Sequence, residues 1–228
     1  MPEPVQRHLL AGLPAPGREA VLANATSRSW ARGELVTRDG DDATSLVVVT
    51  EGHLLVRLVT PAGEQVALAV VGPGDVLGEV GLASRRHERT ADALALDPVT
   101  GLVLRRADFD RVRRGAPEVD DFVMELMARR IDRLSHRVVE AYTVGVPQRV
   151  ARRLHEVGRL YAAGSGPVRV PLTQQDVAGL AGAARPTVNA ALRALERDGL
   201  VRLGRGLVEL LDLPGLRRRC TEPEPPPP

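Results

Sequence analysis

The chain reads as an α+β protein: an all-β sandwich or β-roll in the N-terminal half, a long helix in the middle and a winged helix-turn-helix beyond it. Three observations predict that order. Short apolar runs broken by glycine fill residues 30–106, a sustained helical pattern follows, and a helix, tight turn, helix pattern with two brief strands comes last.

The β section rests on the runs "SLVVVTEG", "HLLVRLVTPAG", "EQVALAVVGPG", "ADALALD" and "GLVLRR", punctuated by Gly33, Gly40, Gly52, Gly63 and Gly74. Runs of strand length separated by turns fold as an all-β sandwich or roll. Pro73-Gly74-Asp75 is a strong turn signal. Aromatics make up only 2% of the 228 residues, so the cores must be built from Leu, Val and Ala.

The period then changes. Residues 108–142 contain one proline, Pro117, followed by a run in which Met124, Met127, Ile131, Leu134, Val138 and Ala141 alternate steps of three and four. That spacing is a heptad seam, and "ARRIDRLSHRVVE" is heavily charged away from it. A parallel helix pair in a homodimer is the favoured reading; packing of the stripe on its own domain is the alternative. Gly145-Val146-Pro147 breaks the helix and marks a hinge, and "PQRVARRLHEVGRLYAA" forms another helix that ends at Gly164-Ser165-Gly166-Pro167.

In the last section Thr173 is an N-cap with Asp176 three residues on, so a helix runs from Gln174 to about Leu180 and stops near Gly182. A second helix starts at Arg185, with Pro186 in the first turn where its missing N–H costs nothing, and with Val188, Leu192 and Leu195 as an apolar face. "LVRLGRGLVELL" supplies two short strands around Gly204-Arg205-Gly206, a wing. The expected boundaries are 1–107 for the β-roll, 108–144 for the dimerisation helix and hinge, and 145–221 for the winged helix-turn-helix. "EPEPPPP" at 222–228 is expected to be a disordered tail.

Charge divides along the same line. Residues 147–228 hold 13 Arg against 8 Asp plus Glu, whereas residues 1–146 hold 18 against 21. A basic C-terminal part on an acidic N-terminal part suits a DNA reader attached to a sensor. All 31 basic residues are arginine, so arginine abundance by itself says little about phosphate. In a helix-turn-helix the first residues of the second helix meet base edges and phosphates, which makes Arg185, Thr187 and Asn189 contact candidates, with Pro186 among them. Arg185 can bridge guanine O6 and N7 with two hydrogen bonds. Thr173, Gln175, Thr187 and Arg205 are placed to grip phosphate.

The stretch "GPGDVLGEVGLASRRHERTADA", residues 72–93, sets Gly78 and Glu79 ahead of a loop, with Arg89 and Thr90 following ten and eleven residues after the acid. A cyclic nucleotide needs these groups: a planar double donor and a hydroxyl for its phosphate, a carboxylate for its ribose hydroxyl, and a residue without Cβ where the backbone approaches. An exposed Glu–Arg ion pair would account for two of the four residues and contribute little.

On "PGDVLGEVGL", "RTA" at 89–91, the long helix and "LTQQDVAGLAGAARPTVNAALRALERDGLV", the chain resembles the cyclic-AMP receptor protein (CRP/FNR) family over nearly its whole length. The resemblance implies a homodimer that binds cAMP as allosteric effector and recognises a pseudo-palindromic operator in double-stranded DNA. It also implies RNA polymerase as a partner. Gly78 and Glu79 match the family's pair for phosphate and ribose, and Arg89 and Thr90 its arginine-hydroxyl pair. Leu134 and Ser135 stand where the cAMP-responsive members contact adenine through two polar side chains. Ser135 keeps that character and Leu134 does not. Arg185 and Thr187 keep the family's leading arginine and phosphate-facing threonine; Pro186 and Ala190 replace base-reading side chains, so an altered or relaxed operator is expected.

In the mechanism so implied, ligand binding changes the helix packing around Leu134 and Ser135, and the hinge near Gly145 repositions the recognition helices. Two alternatives remain at this level. One is a regulator of the same family active without ligand, its β-roll a dimer scaffold. The other is a cyclic-nucleotide-binding regulatory subunit whose C-terminal domain contacts protein. No nucleophile–base pair, metal cluster or Walker loop is evident, so no enzyme is expected. Cys220 alone cannot hold an iron–sulfur centre or found a disulfide framework. His53 and His87 stand singly as haem ligands and are expected to be exposed histidines of the β-roll, so no metal or haem is expected. With no signal peptide or membrane-length apolar run, a cytoplasmic protein without membrane contact is expected.

Overall fold

A computed structural model describes residues 13–60, 63–84, 87–162, 164 and 166–221. The proline-rich tail at 222–228 and Ser165 of the Gly-Ser-Gly-Pro loop lie outside the described residues. The chain forms two compact units, residues 1–63 with 70–134 and residues 64–69 with 135–228.

The first unit opens with α1 (Ala15–Asn24), a helix the sequence pattern did not announce. Along the chain the strands β1 (Thr26–Trp30), β2 (Leu35–Thr37), β3 (Ser45–Glu51), β4 (Leu54–Val59), β5 (Gln65–Val71), β6 (Val76–Leu77), β7 (Asp92–Ala95) and β8 (Val99–Arg105) follow, with α2 (Glu79–Ala83) between β6 and β7; residues Gln65–Ala69 of β5 count with the second unit. They make two four-stranded sheets, ordered β1-β8-β3-β6 and β2-β7-β4-β5.

The five glycine-bounded runs became β3, β4, β5, β7 and β8. In β3 four consecutive residues are buried, Leu46 to Val49, instead of the alternation of a half-exposed strand. The reason is a cover on each face. Leu46 and Val48 join a core with Val21 of α1, Leu104 of β8 and Phe109 and Val112 of the helix that follows β8. Val47 and Val49 carry the opposite parity and are at most 2% exposed.

That next helix is α3 (Arg106–Gly115), and Ala116-Pro117 separates it from α4 (Glu118–Thr143). Proline stops the first helix because the residue before it is pushed out of the α region. Apolar side chains of α4 are exposed along the predicted seam: Met124 69%, Ile131 65%, Leu134 51% and Val138 59%. Among the described residues, then, these four side chains are left largely uncovered by their own chain, whereas Met127 is half-buried.

The second unit continues with α5 (Val146–Tyr161), which begins at the expected break with Pro147 in its first turn. Strand β9 (Val168–Val170) precedes α6 (Gln174–Ala181) and α7 (Arg185–Arg197); β10 (Val201–Gly204), β11 (Leu207–Leu210) and α8 (Leu213–Arg219) complete it. The predicted cap is present in full. Thr173 Oγ1 accepts the Asp176 N–H at 3.1 Å while Asp176 Oδ2 accepts the Thr173 N–H at 2.7 Å. Gly182 then ends α6 at φ 60°, a left-handed conformation that favours glycine. Val188, Leu192 and Leu195 are buried as expected. The wing sheet gains a third member, with order β10-β11-β9.

One expectation is corrected. His53 is not an exposed histidine: its side chain is 12% exposed, and its Nδ1 lies 2.9 Å from Asp97 Oδ2. Asp97 also accepts the His53 backbone N–H, so the carboxylate clamps two loops of the roll. His87 is exposed as expected, at φ 56°.

Candidate nucleotide pocket and DNA interface

Gly78 occupies the N-cap of α2 with φ 94°, which an L side chain rarely adopts. A Cβ built there would lie 2.0 Å from Arg89 Nη1 and 2.7 Å from the Ser45 carbonyl oxygen. Glycine is therefore what admits the guanidinium. Glu79 follows in the first turn of α2, only 6% exposed, and its Oε1 accepts a hydrogen bond from Arg130 Nη1 of α4 at 2.7 Å.

Arg89 is 8% exposed. Its backbone is pinned by N–H donation to Asp41 O at 2.7 Å, and its carbonyl accepts the Gly40 N–H at 2.9 Å. Nη2 donates to Ser45 Oγ at 3.0 Å, and Nη1 is buried with no hydrogen-bond partner among the described residues. Burial pushes this guanidinium below its ordinary pKa, while the Glu79 and Asp41 carboxylates draw it back up. An unpaired buried donor of this kind is costly, and an anionic acceptor relieves that cost.

Gly78, Glu79, Arg89, Thr90 and Arg130 line one cavity of about 370 Å³ including its open mouth, with Val56 among its apolar lining. The four residues singled out by the 72–93 stretch are thus brought together. Counting Arg89, Arg130 and Glu79 alone, the charge is one net positive, matched to a singly charged cyclic phosphate. Asp92, also in the lining, is occupied by Arg57 Nε at 3.3 Å and the Asp39 N–H at 3.0 Å. The residue set fits a cyclic nucleotide. Leu134 and Ser135 do not line this cavity; both are exposed on α4.

Sequence reasoning missed Arg130, which sat in a run taken for solvated charge. Its signal was spacing: it lies four residues before Leu134, hence on the same side of α4.

On the second unit Gln175, Arg185, Pro186, Thr187 and Arg205 are all exposed, Arg205 in the turn between β10 and β11. Thr173 is exposed too, but its hydroxyl is engaged with Asp176 in the cap. Asn189 is half-buried, and its Oδ1 is buried without a partner among the described residues.

Comparison with known proteins follows the same division. A model of the cyclic nucleotide-binding domain matches residues 27–115, and a model of the Crp-like helix-turn-helix domain matches residues 148–219. The chain is 30% identical over 202 residues to the cyclic AMP receptor protein of Thermus thermophilus, covering 89% of this chain and 91% of that one. It is 29% identical over 192 residues to a CRP-like cAMP-activated global transcriptional regulator of Mycobacterium tuberculosis, covering 83% and 85%. Among solved structures, the catabolite activator protein of Thermus thermophilus matches with a TM-score of 0.53 and 30% identity, covering 93% of this chain and 98% of that one. A CRP/FNR-family regulator from the same organism matches at 0.71 and 25%, covering 86% and 99%.

Proposed function

The chain belongs to the CRP/FNR family of transcriptional regulators, and from that premise we propose that it is a homodimer whose operator binding is controlled by a cyclic nucleotide, cAMP foremost. The observation that carries this reading is the buried guanidinium of Arg89, one nitrogen unpaired, packed against a residue that has no Cβ. An apolar core would not retain that arrangement without an anion to complete it.

Each residue has a role in the proposal. Arg89 and Thr90 hold the cyclic phosphate, Gly78 lets the backbone approach it, and Glu79 accepts the ribose 2′-hydroxyl. Arg130 orients Glu79 through its hydrogen bond, so ligand contact at Glu79 is felt at once by α4. The exposed seam of α4 pairs with its counterpart in a second copy, which brings Leu134 and Ser135 toward the base. Leu134 offers no hydroxyl, which lowers adenine affinity by about 0.5–1.5 kcal/mol relative to a side chain that does. That favours weaker binding over none.

At the other end Arg185 reads a base edge, Thr187 and Gln175 hold phosphate, and Arg205 holds phosphate from the wing. Thr173 acts through the cap that fixes α6. The Thermus relative is a cyclic AMP receptor protein and the Mycobacterium relative a cAMP-activated regulator, which supports cAMP as effector. Among the described residues no helix is long and apolar enough to cross a membrane, in keeping with a cytoplasmic regulator that meets RNA polymerase at promoters.

Selection from random-sequence duplex DNA, with and without cAMP, tests the proposal. It predicts a two-fold-symmetric motif with half-sites about 34 Å apart, one DNA turn, enriched far more strongly when cAMP is present. Equal enrichment without nucleotide would assign the β-roll a scaffold role. No motif in either pool would make the C-terminal domain a protein-docking module.

A further inference from the structure

Glu196 stands in the last turn of α7, where a negative charge faces the unfavourable end of the helix dipole. Its two oxygens have different partners. Oε2 accepts Arg193 Nη1 from one turn back at 2.7 Å, and Oε1 accepts the backbone N–H of Leu203 at 2.9 Å. Leu203 lies in β10, the outer strand of the wing sheet, opposite Val208 of β11. Its N–H is therefore on the open edge of that sheet, where the neighbouring strand offers no acceptor. Both partners hold the Glu196 carboxyl below its ordinary pKa, the Leu203 N–H first and Arg193 second, so it is ionised at neutral pH.

The geometry points to Glu196 as a positioning residue for DNA binding: it ties the edge of the wing to the recognition helix and so sets where Arg205 is presented. Arg205 follows Leu203 by two residues, at the hairpin turn. Fixing the Leu203 backbone fixes the strand from which Arg205 projects, in register with Arg185 at the start of the same α7 whose end carries Glu196. Arg193 completes the device by orienting the carboxylate. As an exposed i,i+3 pair it contributes little by itself.

This inference rests on Arg205 being a phosphate contact, and the sign of one substitution separates it from the ordinary effect of charge. Removing an acid from a DNA-facing domain by itself strengthens binding to a polyanion. The tether predicts the reverse for Glu196→Ala. The probe is a fluorescein-labelled mixed-sequence duplex, read by anisotropy across a salt series with the full chain. Arg205→Ala should weaken binding and reduce the slope of log K against log salt by about 1, the signature of one lost phosphate contact. Glu196→Ala should weaken it roughly three- to tenfold with a similar loss of slope. The double variant should bind like Arg205→Ala alone. Glu196→Gln, whose amide oxygen still accepts from Leu203, should stay close to the parent.

Glu196→Ala binding as tightly as the parent, or tighter, with an unchanged slope overturns the tether, as does a double variant whose losses multiply. If Arg205→Ala alone changes neither affinity nor slope, the wing contact itself is wrong and the tether falls with it. Should Glu196→Ala fail to fold, amide exchange of Leu203 in the parent and in Glu196→Gln decides. Protection in both supports the tether, and exchange at the rate of an open strand edge in the parent overturns it.

Discussion

Replacing Arg89 by alanine should separate binding from folding. The parent guanidinium is 8% exposed, with Nη2 on Ser45 Oγ at 3.0 Å and Nη1 buried without a partner among the described residues. Folding without ligand loses one hydrogen bond in the variant and is relieved of an unpaired buried donor that costs about 1–3 kcal/mol. The two nearly offset, so unliganded stability should move by about 1 kcal/mol or less. Binding has no such offset. Two charge-assisted hydrogen bonds to a phosphate contribute roughly 1.5–3 kcal/mol each and are not additive. A loss of about 3–4 kcal/mol, on the order of several hundredfold in Kd, follows. Arg89→Lys, which keeps the charge and loses the fork, should fall between.

Calorimetry with cAMP reads the affinity, and sedimentation checks that the dimer is intact. Urea unfolding followed by Trp30 reads the stability of the roll, because that residue is the only tryptophan of the chain and is buried in β1. Parental affinity in Arg89→Ala would remove the pocket assignment. A stability loss above about 3 kcal/mol, on the scale of breaking a buried pair, would show that the arginine is there for the fold.

Four further outcomes are expected. Gly78→Ala sets a β-carbon at φ 94° against Ser45 O and Arg89, and should cost roughly 2–4 kcal/mol of stability in denaturant unfolding while displacing Arg89 from the phosphate position. Arg185→Ala should lose about 1–3 kcal/mol on a selected operator and relax preference at a single base pair, read by competition with variant duplexes. Ile131→Glu puts a charge in the exposed seam of α4 and should convert the dimer to monomer in sedimentation. Burial, with help from the nearby Arg159 and Arg217, holds the His155 imidazole below its ordinary pKa, with Glu156 opposing. The unfolded chain therefore takes up that proton first, and its contribution to stability is complete above about pH 6.5 and declines as pH falls through that value. His155→Gln should flatten this part of the stability profile measured between acid and neutral pH.

What the sequence disclosed and what it concealed follow from chain distance. The α6 cap was legible because Thr173 and Asp176 are three residues apart, and its end because a glycine is the residue that turns left-handed there. The start of α5 was legible for the same local reason, a proline in its first turn. Glu79 and Arg130 are 51 residues apart, and nothing in either neighbourhood names the other. The arginine therefore looked like one more solvated charge. Likewise β9 is only three residues long between a glycine-rich loop and a proline, too short for any period to show. His53 was misjudged because its burial depends on Asp97, at the foot of a different hairpin. Gly78, Glu79, Arg89 and Thr90 were grouped from the sequence because a ligand with several kinds of polar group would demand a mixture of side chains that packing alone does not produce, and all four line one cavity.

The most direct test of ligand control is calorimetric titration of cAMP into the parent protein, alone and saturated with a selected operator duplex. The account predicts binding in both, tighter on the operator by the same factor by which cAMP tightens the operator, since the coupling is reciprocal. Binding of equal strength in the two titrations would contradict it, and so would no heat in either up to millimolar nucleotide.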